Sequence, residues 1–125
     1  MTKTHSDAIV VDGPLIFVSG QVPDASDGSV AAWDAAEQTR QVFHNLEKVL
    51  AQHGADLRHL VKLTYYLRHI SDLGVVQEVL QEFLVHQPRP TATLVEVAGF
   101  VDARYLMELD AVARLPRDDR SAPAT

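Results

Sequence analysis

The sequence predicts an α+β fold in which two helices pack on one face of a mixed sheet. Three observations predict it. Strand and helix patterns follow one another in the order β-β-α-β-α-β-β; each helical segment carries a single apolar stripe; and the strands are too few and too spread for an open doubly wound sheet. A chain of 125 residues fits one domain and buries roughly two-thirds of its unfolded surface, so no staple is needed. We place that domain at residues 1–116 and a tail, expected to be disordered because it has almost no apolar content, at 117–125.

The elements follow in order. Residues 9–11 and 15–20 read as two strands around Asp12-Gly13-Pro14, because Asp-Gly tolerates the positive φ of a hairpin turn and the second strand is β-branched and aromatic. Residues 21–30, with Pro23, Asp24, Ser26, Asp27 and Gly28, read as a loop. Val42, Phe43, Leu46, Val49 and Leu50 fall on one stripe of a helix over 31–53, and Gly54 stops it. The run 60–67 is apolar, aromatic and β-branched and reads as a strand. Ser71 and Asp72 offer an N-cap for a second helix carrying Val76, Val79, Leu80 and Phe83, which ends near His86 before Pro88 and Pro90. Strands over 92–97 and 105–113 close the order, and the helix-free sheet face, with apolar residues in alternation, asks for burial against copies of the chain.

Composition excludes several chemistries. With no cysteine there is no disulfide, thiolate metal site, iron–sulfur cluster or thiol nucleophile. A net charge of −6 and scattered basic residues argue against nucleic-acid binding, which draws its affinity from lysines and arginines displacing counterions. The polar start shows no secretion signal and no apolar run approaches the ~20 residues that span a bilayer, so the expected place is the cytoplasm, with no membrane partner. The six histidines form no His-x-His or His-x-x-x-His pair, so no metal is expected, and no phosphate-cradling or nucleophile-elbow motif is present.

Five segments, in order, carry a likeness to a known family. They are Leu15-Ile16-Phe17-Val18-Ser19-Gly20-Gln21-Val22-Pro23; Gln38-Thr39-Arg40-Gln41-Val42-Phe43-His44-Asn45-Leu46 with Gly54-Ala55-Asp56-Leu57; Val61-Lys62-Leu63-Thr64-Tyr65-Tyr66-Leu67; Arg89-Pro90-Thr91-Ala92-Thr93-Leu94-Val95-Glu96-Val97; and Met107-Glu108-Leu109-Asp110-Ala111-Val112-Ala113. Over residues 7–115 the chain resembles the Rid/YjgF family of reactive-intermediate deaminases. The resemblance implies a chorismate-mutase-like protomer, a homotrimer with a central barrel, and ligand sites in clefts between subunits. It implies hydrolysis of enamines and imines to 2-keto acids and ammonia without a metal or organic cofactor.

Residue by residue, the resemblance places a water-handling carboxylate at Asp110, a ligand-facing hydroxyl at Ser19 beside Gln21, and a further hydroxyl at Thr93. Glu108 shares a strand face with Asp110 because side chains alternate, and two carboxylates on one face can raise one pKa and prepare a proton donor. Gln77 falls where some relatives place an asparagine that reaches the ligand. The family's carboxylate-clamping arginine falls at Ala92, the tyrosine that often closes the site at Ser6, and a cysteine of several relatives at Leu94. A methyl group makes neither of the paired charge-assisted bonds of a guanidinium, a loss of roughly 10- to 100-fold in binding for even one such bond. Arg89, between two prolines, and Arg104 are candidates to replace the clamp, or are solvated loop charges or subunit-interface pairs. Three readings therefore stay open: an imine or enamine hydrolase with altered head-group recognition, a noncatalytic trimer that binds a metabolite, and a pathway-specific isomerase or dehydratase using the same cleft.

Overall fold

A computed structural model describes residues 3–116; the tail expected over 117–125 lies outside the described residues. The order is β1 (Leu15–Gln21), α1 (Ala35–Ala51), β2 (Leu60–Leu67), α2 (Leu73–Phe83), β3 (Thr91–Glu96) and β4 (Met107–Arg114), with single 3-10 turns at Leu57–His59 and Ile70–Asp72. The sheet order is β1-β4-β2-β3. β4 runs antiparallel to both neighbours, whereas β2 and β3, joined through α2, are parallel. The last strand thus inserts between the first two and carries its side chains to the middle of the sheet.

Period-two alternation sorts the strands cleanly. Leu63, Tyr65 and Leu67 of β2 and Met107, Leu109, Ala111 and Ala113 of β4 are buried toward the helices. They meet Val42, Phe43, Leu46 and Leu50 of α1 and Val76 and Leu80 of α2 in one cluster, and Phe43 stacks on Phe83 at 4.7 Å to lock the two helices together. The stripe that predicted each helix is therefore the stripe that it buries. No helix among the described residues is long and apolar enough to cross a membrane.

Several expected boundaries move. Residues 9–11 form no strand: Val10 is 99% exposed, and the segment before it is tied to the far side of the sheet by Ser6 N donating to the Pro90 carbonyl at 2.9 Å. With no ladder partner, β-propensity alone does not make a strand, so the expected hairpin is reduced to β1. Helix α1 begins at Ala35 rather than 31, because Trp33 adopts a positive φ of 62° and Asp34 then caps the helix by accepting from Glu37 N at 3.0 Å. Asp72 does not cap α2 with its side chain. The 3-10 turn before α2 is instead anchored by Glu96, whose carboxylate accepts from Ile70 N at 2.7 Å.

Candidate functional site

On the face away from the helices, register arranges the side chains in rows. Thr91, Lys62, Val112 and Phe17 form one row; Thr93, Thr64 and Asp110 the next, with Ser19 and Gly20 in the β1 bulge beside them; Val95, Tyr66 and Glu108 the last. The bulge between Val18 and Gln21 breaks the β1 ladder beside the two carboxylates, a common place for a strand to re-aim side chains. Gly20 is there for space. A Cβ on it would stand 2.6 Å from Glu108 Oε2, so the glutamate lies directly over the bare backbone.

The electrostatics of the last two rows are linked. The Tyr66 hydroxyl donates to Asp110 Oδ2 at 2.7 Å. That bond, with burial and the charges of Asp110 and Glu108, pushes the Tyr66 phenol above its ordinary value. Burial first, and then the charge of Asp110, raise the Glu108 carboxyl. Glu108 makes no side-chain hydrogen bond or ion pair among the described residues, whereas Asp110 is held by the tyrosine. Beside them lies a cavity of about 430 Å³ lined by Tyr66, Glu108, Val97, Gly99, Phe100 and Val101. Phe100 is supported edge-on by Tyr105, and the Tyr105 hydroxyl donates to Asp24 at 2.8 Å, which ties the loop after β3 to the loop after β1.

The residues expected at the site divide between the two faces. Ser19, Thr93, Glu108 and Asp110 share the helix-free face. Ala92, adjacent to Thr93, points the other way and packs with Leu94 against the core. Gln77 is on α2, its side chain near the buried Tyr65, again on the helix side. Gln21 is paired with the helix-side Leu109 and donates to the Ser19 carbonyl at 3.1 Å. Arg89 is committed to the end of α2, its Nε donating to the Leu84 carbonyl at 2.8 Å, and Arg104 is paired with Asp102 at 2.7 Å. Within one protomer, then, Ala92, Gln77 and the two arginines do not meet the carboxylates. A further cation on the carboxylate face is Lys62, which donates to Thr64 Oγ1 at 2.9 Å.

Tyr66, Gly20 and the 97–101 loop were not singled out from the sequence. Tyr66 stands four residues after Lys62 on a strand, so alternation puts it on the same face, but its meeting with Asp110 follows only from the β2–β4 register.

Comparison with known proteins gives a consistent result. A family model described as endoribonuclease L-PSP matches residues 2–115. The chain is 36% identical over 110 residues to a RutC family protein of Pyrococcus abyssi, covering 87% of this chain and 84% of that one. It is 30% identical over 110 residues to the 2-iminobutanoate/2-iminopropanoate deaminase of Homo sapiens, covering 87% and 78% respectively. Among solved structures, a member of the conserved Rid protein family from Yersinia pestis superposes with a TM-score of 0.76 at 25% identity, over 82% of this chain and 80% of that one.

Proposed function

Because the chain belongs to the Rid/YjgF family, whose relatives include named imine deaminases, we propose that it hydrolyses imines or enamines in clefts completed by neighbouring copies of a cytoplasmic homotrimer. The observation that carries this reading is the Tyr66–Asp110–Glu108 group beside a cavity on the helix-free face. Imine hydrolysis needs water oriented at the carbon and a proton supplied at the nitrogen. Water adds its oxygen to the C=N carbon, one of its protons passes to a carboxylate, and the nitrogen takes a proton. The carboxylic acid then protonates the amine of the resulting amino alcohol, and the C–N bond breaks, releasing ammonia as the hydroxyl proton passes to the carboxylate. Nothing is oxidised or reduced, and the carboxylate is restored when its proton passes to the released ammonia.

Asp110 is the water-handling carboxylate in this scheme, and Tyr66 sets its orientation through a bond at 2.7 Å. Ser19 and Thr93, on the same face, supply hydroxyls at the rim. The description endoribonuclease attached to the family model is not the reading that this chain supports. A net charge of −6, with two carboxylates at the centre of the face, disfavours a polyanion.

The test is ammonia release from freshly generated imines, with and without a carboxylate, by wild type and Asp110→Asn. We expect the substitution to lower kcat/KM at least about 100-fold, the lower end of the range for loss of a general acid or base. Wild type that turns over no imine would leave the second reading, a noncatalytic metabolite-binding trimer. That reading is favoured by one observation: Ala92, at the position of the family's clamping arginine, offers only a methyl group, packed toward the core.

A further inference from the structure

The cavity beside Glu108 has one charged group in its lining, and it is an anion. Its other walls are the Tyr66 ring and the apolar side chains of Val97, Phe100 and Val101, the last 96% exposed at the mouth. Glu108 lies against Gly20 with no donor of its own among the described residues, whereas the neighbouring Asp110 already accepts from Tyr66. A ligand in this cavity therefore meets a carboxylate lacking a hydrogen-bond donor, set in an apolar surround. A charge-assisted bond is roughly twice as strong as a neutral one, and an anionic ligand would add like-charge repulsion from two carboxylates.

Three candidate cations are engaged elsewhere. Arg104 is spent on Asp102, Arg89 on the α2 terminus, and Lys62 lies two rows from Glu108 with Thr64 as its partner. We propose that this site takes an apolar amine or iminium rather than a carboxylate-bearing imine, and that Glu108 is the residue that binds its nitrogen. The proposal rests on reading the helix-free cavity as the active site and deepens it to a substrate class. An imine reacts through its protonated form, so the same carboxylate that selects a cation also stabilises the species that water attacks.

Binding measures this without any turnover. Benzylammonium, benzyl alcohol and benzoate share a ring and differ in charge, so calorimetric titration of the full-length protein at pH 7.5 isolates the sign that the cavity prefers. We expect benzylammonium to bind at least about 10-fold more tightly than benzoate, with benzyl alcohol between them. Glu108→Gln is expected to remove that preference and leave benzyl alcohol unchanged. Val101→Ser is expected to weaken all three alike through lost apolar contact.

Benzoate binding as well as benzylammonium, a preference that survives Glu108→Gln, or no saturable binding of any of the three at millimolar concentration would overturn the proposal. So would benzoate binding that disappears in Lys62→Met, which would make Lys62 the anchor of an anionic substrate. The two claims fail separately. Preference without imine turnover removes only the hydrolase reading, and turnover of imino acids without the preference removes only the substrate class.

Discussion

Glu108 shows how a single position can be both a cost to the fold and a tool. Its carboxyl is raised from the ordinary glutamate value of 4.5, so the folded protein holds this proton more tightly than the unfolded chain does. The associated stability is fully present below about 4.5 and is lost as pH rises through the raised native value. Glu108→Gln, which never ionises, is therefore expected to melt higher than wild type at pH 7.5 and at the same temperature at pH 3, a gain of less than about 1 kcal/mol for a partly buried group. Thermal unfolding at the two pH values checks it, and equal shifts at both would mean that packing rather than charge is responsible. The two carboxylates were legible in the sequence because they are two apart on an obvious strand. Tyr66 was not, because no local pattern says which residue of β2 lies opposite Asp110 and Glu108; hydrogen-bond register across two strands far apart in sequence does.

At the scale of elements, apolar stripes predicted helix positions well and helix starts poorly. The α1 stripe begins with residues that any start from 31 to 35 would accommodate, so the boundary rests on capping. Asp34 takes up one of the orphan backbone donors of the first turn, at Glu37 N, and Glu37 itself adds an acidic side chain in that turn. Asp34→Ala is expected to destabilise the protein by about 1 kcal/mol, measured by urea unfolding, with the far-ultraviolet spectrum of the folded state unchanged. An unaffected midpoint would mean that solvent or the neighbouring backbone satisfies Glu37 N equally well. The first strand of the expected hairpin failed for the complementary reason. Ile9 to Val11 have strand-forming side chains, but a strand exists only where a neighbour offers its backbone, and β1 takes its ladder from β4.

For the whole molecule, the helix-free face is the decisive feature. It carries Phe17 at 77% exposure and the exposed Leu15 and Val95, with Val112 beside them, an apolar content that a free protomer would leave in water. The closed association proposed above would remove that cost and complete the walls of the Glu108 cavity in the same step. Sedimentation or light scattering is expected to report a trimer. Phe17→Asp, which puts a charge on the apolar face, is expected to shift it toward monomer at micromolar concentration and to lower ligand affinity at least about 10-fold. A monomeric wild type with an intact ligand preference would show that the protomer alone builds the site.

By itself the sequence determined the layer arrangement, the two buried helical stripes and the identity of the face left without a helix. Those properties are encoded locally, in the periods of 3.6 and 2 at which apolar residues recur. It also placed Glu108 and Asp110 on one strand face, and, through the family resemblance, Ala92 at the position of the clamping arginine. Only the tertiary structure decided that Ala92 and Gln77 are on the opposite side of the sheet from those carboxylates, that Tyr66 bonds Asp110, and that Gly20 clears the space over which Glu108 lies. These facts depend on strand order, register and a bulge. Each is set by backbone pairing between segments up to 99 residues apart, as Leu15 and Arg114 are, a distance over which no side-chain pattern carries information.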